Sequence, residues 1–364
     1  MPGNPVISLR QFVILVTLFS LGSAILYVPG VLSIHAKQDA WIAALIGWAL
    51  GIGIVWIYVA LANRYPHLSL VQCSEHVLGP WLGKAAGLLY LFFPFVLAAI
   101  VMRDIGDFVT IEMLKFTPIE IIELSFTFIL IVGGYYGLET ISRIGELMFP
   151  MIIFLFLFLV VFVSPQLKID HAKPVLEHGI TPILLSVKTY IGFPFMELSI
   201  FLMILPYVKR TSGAKVAQAF IAGTGICGLM LFVITAASIL VLGPSLTARE
   251  TYPSYLLAKK INVGDFLQRI EAFMAGIWFF SIYMKLVLCL LAIALGIAQL
   301  CRLKDYRPLL LPLGVIIFVY SLAISPNMAY MVELTGKLWT AFALTFSLLI
   351  PLVLLIVGSF RSRN

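Results

Sequence analysis

The chain has 364 residues, 62% of them hydrophobic and 11% charged, with a mean hydropathy of +1.08. A soluble globular domain carries roughly 25% charged residues, so the composition excludes a soluble fold and predicts an all-α polytopic membrane protein. The net charge of +7 does not point to nucleic acid: in such a chain Lys and Arg gather in loops and at helix ends, where they set orientation and meet lipid headgroups.

A spanning helix needs about 20 mostly apolar residues. Ten stretches qualify: 9–33, 40–62, 81–103, 119–137, 146–164, 182–206, 216–243, 270–299, 309–325 and 338–358. The first apolar run, from about Phe12 to Leu32, is too long for a signal-peptide core of roughly 7–15 residues, and is expected to remain as span one. It is interrupted midway by Gly22, Ser23 and Ala24, with Tyr27, Pro29 and Gly30 following. Small residues let backbone approach a ligand closely. A half-helix starting after the break offers free N–H groups and a positive dipole end, which suits a carboxylate. For this segment alone, a Pro-kinked helix packed through small residues is an equal reading.

Span three ends in Arg103, Asp104, Asp107 and Glu112. The i, i+4 spacing of Arg103 and Asp107 allows a helical ion pair, and the cluster is expected to form a gate or a partner-facing surface near the outer headgroups. Span six carries the second break, Ile191-Gly192-Phe193-Pro194-Phe195-Met196-Glu197. A carboxylate as deep as Glu197 is expensive in a bilayer and marks function by default. It could accept a ligand ammonium group, carry a proton, or pair with a cation on another span. Lys285, mid-way along span eight with Ser281 and Tyr283 nearby, is the partner candidate; the alternative is that it snorkels to an interface. Tyr27, Phe92, Phe193 and Phe195 are candidates to line a cavity. The polar connection 244–268 reads as a short re-entrant or surface helix pair, and Glu271 with Arg269 opens span eight.

The two breaks fall at corresponding places, in the first span of each set of five. Five spans per set turn the second set upside down relative to the first. The pattern therefore predicts a 5+5 inverted repeat with broken helices one and six (a leucine-transporter-like fold), repeat one covering about 9–164 and repeat two about 182–358. In that architecture span eight packs near span one beside a sodium site, and a fixed Lys285 ammonium could stand in for the ion. Broken backbone in lipid costs several kcal/mol per unsatisfied group unless something fills it, and in inverted-repeat transporters the ligand or coupling ion does so.

An even number of spans puts both termini on one side. Basic residues divide nearly evenly between the two sides, but the long connections 165–181 and 244–269 hold about half of one side's share. Since the rule applies best to short loops, both termini are expected in the cytoplasm. The four cysteines, Cys73, Cys227, Cys289 and Cys301, lack CxxC spacing and are expected as free thiols without a metal site. No nucleotide-binding or nucleophile motif is evident; nothing argues for an enzyme or a cofactor.

An ordered set of landmarks carries a family resemblance. These are Tyr65-Pro66-His67-Leu68-Ser69, Glu112-Met113-Leu114-Lys115-Phe116-Thr117-Pro118, Lys173-Pro174-Val175-Leu176 with Gly179 and Pro182, Tyr252-Pro253, and Arg269-Ile270-Glu271. Over essentially the whole chain they resemble the spore germination receptor B subunits, within the amino acid–polyamine–organocation permease superfamily. The resemblance implies a protein of the endospore inner membrane. It would work with an A subunit and a lipoprotein C subunit and sense a small nutrient: an amino acid, sugar or nucleoside. Glu197 matches a glutamate in the family's sixth span, and Gly22 to Pro29 its Gly-rich, Pro-ended first span. Proton-coupled superfamily members can carry a lysine in span five; this chain has none between Glu146 and Ser164, which argues against that coupling. Three functions are open: a nutrient-sensing receptor subunit, a proton-coupled amino-acid permease with net transport, and, least favoured, a channel-forming subunit.

Overall fold

The computed structural model describes residues 7–209, 212–260 and 270–361. Arg269 and residues 261–268 of the connection before span eight lie outside the described residues. Among the described residues, eight helical runs are long and apolar enough to cross a membrane, and Leu9–Leu21 is a shorter apolar helix. Two runs turn back on themselves, one joining the second half of span one to span two and the other joining spans four and five. Ala24–Arg64 turns at Lys37 (φ 48°), and Ile119–Gln166 turns at Gly137 (φ 81°, ψ −179°). Only glycine takes the latter backbone without strain. Leu9–Leu21 and Ala24–Ala36 together form span one, so separating the runs at these turns recovers the ten crossings read from the sequence.

The ends alternate as ten crossings require. On the N-terminal side Ile7 bridges Val208, Arg64 Nη2 donates to the Gly358 carbonyl (2.8 Å), and the Ser69 hydroxyl donates to Gln299 Oε1 (2.5 Å). On the opposite side Gln38 Nε2 donates to the Pro174 carbonyl (3.0 Å), Lys168 N–H to the Leu240 carbonyl (3.0 Å), and Lys259 pairs with Glu112 (2.5 Å). Between spans seven and eight, the described part of the connection forms the two short helices Pro244–Arg249 and Pro253–Lys259.

Spans six and eight and the first half of span one are enclosed by other helices, whereas spans four, five, nine and ten expose most of their apolar surface. Lipid tails are as apolar as Leu, so close packing rather than water exclusion holds such helices together. Small residues supply it. A Cβ at Gly228 of span seven would lie 2.2 Å from the Trp48 ring of span two, and one at Gly223 would lie 2.7 Å from Val16 of span one.

Span one starts at a capping box. Ser8 Oγ accepts from the Gln11 N–H (3.2 Å) and the Gln11 side chain accepts from the Ser8 N–H (2.9 Å). Gln11 Nε2 also reaches Glu146 at the start of span five (3.0 Å), where Arg10 pairs with the same carboxylate (3.3 Å). Together with hydrogen bonds from Ile7 N–H to Tyr207 O and from Lys209 N–H to Ile7 O, these contacts close the molecule on its N-terminal side.

Candidate functional site

Span one breaks where the sequence places the break. Helix Leu9–Leu21 ends at Gly22 (φ −4°, ψ −108°), and the second half, Ala24–Ala36, starts after Ser23, whose side chain makes no cap. The first-turn N–H groups are therefore left to other partners. Gly22 is required by what lies against it: a Cβ there would sit 2.6 Å from Lys285 Cδ and 2.9 Å from the Phe19 carbonyl. In span six, Pro194 drives the preceding residue out of the helical region, and Phe193 is extended (φ −143°, ψ 105°). Two buried tyrosines collect carbonyls near this break: Tyr58 Oη donates to Met196 O (3.0 Å) and Tyr90 Oη to Ser199 O (2.9 Å). Ser186 joins the two broken spans further out, donating to Leu32 O (2.8 Å) and accepting from Ala36 N–H (3.1 Å).

Lys285 reaches both breaks. Its Nζ lies 2.5 Å from Glu197 Oε2 and donates to Ser23 Oγ (3.0 Å). It also stands over the rings of Phe193 (5.1 Å to the centroid) and Phe19 (5.5 Å), a favourable arrangement for a desolvated cation. Lys285 and Glu197 are fully buried. The lysine thus ends deep between the helices; it does not snorkel to an interface. The Glu197 contact is an ion pair rather than an aligned hydrogen bond, and both carboxylate oxygens lack a hydrogen-bond donor in good geometry.

Above this pair a cavity of about 230 Å³ lies between the second half of span one, spans three, six and ten, and the connection after span seven. Ser23, Tyr27, Phe193 and Glu197 line it, as do Leu97, Ile100, Val101 and Asp104 of span three and Trp339 of span ten. Its mouth, flanked by His35, Arg249 and Glu250, is on the side opposite the N-terminus. The Tyr27 hydroxyl and the Trp339 indole N–H are buried without an aligned hydrogen bond. Buried polar groups are nearly always paired; these two lie beside carboxylates of the wall, Tyr27 by Asp104 and Trp339 by Glu197, and give the cavity a polar side that suits a polar guest.

Not every expected residue reaches the cavity. Gly22 and Gly192 serve packing; a Cβ at Gly192 would meet Thr340 Oγ1 at 2.8 Å. Ala24 starts the second half-helix behind Ser23. Phe195 is turned away, its ring against Tyr190 and seated over Gly51, where a Cβ would lie 2.4 Å from it. Phe92 stacks with Phe95 and meets Phe342 and Phe346 edge-on, on the outer face. The Ser281 hydroxyl donates within its own helix to Ile277 O and Trp278 O. The charges of span three do not form a surface near the headgroups: Arg103, Asp104 and Asp107 are all buried. Arg103 Nε pairs with Asp107 (3.1 Å), and neither lines the cavity, whose span-three wall is formed by Leu97, Ile100, Val101 and Asp104.

Sequence reading missed Trp339 as a cavity residue and missed Glu123, a fully buried carboxylate of span four. The Glu123 carboxylate meets the Ser321 hydroxyl of span nine. Gly106 makes room for it, since a Cβ there would lie 2.7 Å from Glu123 Oε1. Its position inside the apolar window 119–137 was the available signal. All four cysteines are free.

This arrangement of broken spans can be compared with known proteins. A family model described as spore germination protein matches residues 6–329. The chain belongs to the spore germination protein family. It is 30% identical to spore germination protein KB of Bacillus subtilis (strain 168) over 362 residues, covering 98% of this chain and 96% of that one. It is 25% identical to spore germination protein YndE of the same organism, covering 98% of each. Among solved structures, this spore germination family member is similar to Mhp1, a nucleobase-cation-symport-1 family transporter in a closed conformation with bromovinylhydantoin bound (TM-score 0.68, 15% identity, 94% of this chain and 78% of that one). It is also similar to MhsT in complex with L-phenylalanine (TM-score 0.62, 16% identity, 96% and 97%). At these identities the likeness concerns the fold alone, which is the inverted-repeat, broken-helix transporter fold. The protein is thus a multi-pass integral membrane protein of the spore germination family.

Proposed function

We propose that the protein is the nutrient-sensing subunit of a spore germination receptor, with a small nutrient, an amino acid foremost, binding in the cavity at the broken spans one and six. The observation that carries this reading is the Lys285 bridge: one buried ammonium holds Ser23 at the first break and Glu197 at the second, directly beneath a cavity with a polar side. Repeat one then spans about 9–164 and repeat two about 182–358. Both termini are cytoplasmic, the protein sits in the inner membrane of the endospore, and the cavity opens away from the cytoplasm. A nutrient carboxylate fits the free N–H groups that begin Ala24–Ala36, and MhsT, of the same fold, holds L-phenylalanine.

Nutrient binding in the open cavity biases the molecule toward an occluded state, and receptor A and C subunits read the change. A ligand shifts such an equilibrium only by its differential affinity for the two states. The test is germination of spores lacking this gene against separate amino acids, sugars and nucleosides. Loss of response to one class is expected. A normal response to every nutrient, together with net uptake by the protein in proteoliposomes, would instead support a proton-coupled permease.

A further inference from the structure

Two of the three carboxylates buried around the cavity on spans three and six have a cation beside them. Lys285 is neutralised by Glu197, and Arg103 by Asp107. Asp104 remains. Its residue is only 7% exposed, it lines the cavity, and among the described residues it has no ion-pair partner. Its neighbour across the cavity wall is Tyr27, whose buried hydroxyl lies beside the Asp104 carboxylate and the Tyr252 hydroxyl without an aligned hydrogen bond to either. A buried carboxylate is tolerated when a cation pairs with it. Arg249, at the mouth, is exposed and makes no ion pair with it.

We propose that Asp104 is the counter-charge for an ammonium group on the ligand, so that the cavity selects a nutrient carrying a primary amine. This rests on the nutrient-binding reading above. Glu197, the carboxylate that sequence reasoning favours for that role, is already occupied by Lys285. The spacing fits an α-amino acid. Tyr27, beside Asp104, is three residues beyond Ala24, about 4.5 Å of helical rise. A carboxylate at the start of that half-helix would leave its own α-ammonium near Asp104. The apolar residues Leu97, Ile100 and Val101, on the same face of span three, are placed to meet an aliphatic side chain.

The experiment uses whole spores, in which the receptor is intact. Germination is measured against L-amino acids, against the corresponding deaminated carboxylic acids, and against glucose and inosine, in spores with the native gene, the deleted gene, Asp104→Asn and Asp104→Glu. Protein abundance is followed by immunoblot. The expected result is a gene-dependent response to an amino acid and none to its deaminated acid. Asp104→Asn should raise the half-maximal concentration roughly ten- to a hundredfold, with Asp104→Glu intermediate and both variants at normal abundance. If Asp104→Asn lowers abundance, the intermediate sensitivity of Asp104→Glu at normal abundance carries the test, and native sensitivity in that variant overturns the proposal. A gene-dependent response to glucose, inosine or a deaminated acid overturns the amine proposal and leaves the sensing function standing. So does native sensitivity in Asp104→Asn. Loss in Asp104→Asn of a sodium requirement (sodium against choline chloride), with the amine preference intact, also overturns it, because the site would then hold an inorganic cation. No gene-dependent response to any nutrient overturns the sensing function itself.

Discussion

Removing one end of the Lys285–Glu197 pair should harm the protein more than removing both. At 2.5 Å two unit charges attract by about 7 kcal/mol at an effective dielectric constant of 20. Taking both ions out of water costs several kcal/mol each, so the intact pair adds little net stability. The loss appears when one partner goes, because the other is left buried and unpaired, at about 3–5 kcal/mol. Neither side chain can escape to solvent, since both are fully enclosed. Lys285→Met and Glu197→Gln should each lower the thermal midpoint of the detergent-purified protein by on the order of 10 °C, by the size scaling of soluble domains. The double variant should recover most of that loss. Intrinsic tryptophan fluorescence during heating, with size-exclusion elution as the check on folding, reads the cycle. Additive losses in the double variant would show that the two groups do not compensate each other, and the bridge between the breaks would lose its energetic basis.

Other substitutions probe the surroundings of that bridge. Gly22→Ala puts a methyl 2.6 Å from Lys285 Cδ and 2.9 Å from a backbone carbonyl and should destabilise by about 1–3 kcal/mol; Gly225→Ala, with open space around it, is the control, and equal midpoints for the two would contradict the close-approach argument. Ser23→Leu removes a Lys285 partner and fills the cavity floor, so the nutrient response should be lost at normal protein abundance; an unaltered dose–response curve would mean that the first break is only a kink. Arg10→Ala should matter little: its side chain is 74% exposed, and such pairs contribute about 0–1 kcal/mol. A change in half-maximal nutrient concentration beyond about fivefold would show that the N-terminal closure depends on that pair.

Periodicity, Pro and Gly made the breaks legible. Pro194 constrains Phe193 whatever surrounds it, and Gly22 with Ser23 is a poor helix centre in any sequence. The ten crossings were legible for a similar reason, because a bilayer demands about 20 apolar residues per span. Side-chain partners are a different matter. The i, i+4 spacing announced the Arg103–Asp107 pair, but nothing in the spacing says that Asp104, one turn before Asp107, lines a cavity closed by spans one, six and ten. Phe195 fits the profile of a cavity aromatic, but Gly51, far away in sequence, offers its ring a better seat. Glu123 lies in an apolar window like any misplaced charge; that Gly106 and Ser321 converge on it depends on the packing of three spans.

A tethered cation also bears on whether a nutrient signal needs transport. A coupling ion must enter and leave its site in each cycle, and its gradient drives the flux. Lys285 is anchored to span eight and cannot leave, and it contacts both breaks at once, through Ser23 and Glu197. If this ammonium stands where a coupling sodium would bind, that position cannot exchange a metal cation with solution, and the nutrient rather than sodium distinguishes the open from the occluded state. Any movement of one break then changes a contact made by the other, which carries occupancy from one repeat to the next without flux. Purified protein in liposomes should therefore show nutrient-dependent protection of a cysteine introduced at the cavity mouth, for example Thr251→Cys. Labelled nutrient should not accumulate above protein-free liposomes under a sodium gradient. Accumulation driven by the sodium gradient would refute the tethered-cation argument, because a fixed ammonium leaves no place for sodium to bind and be carried.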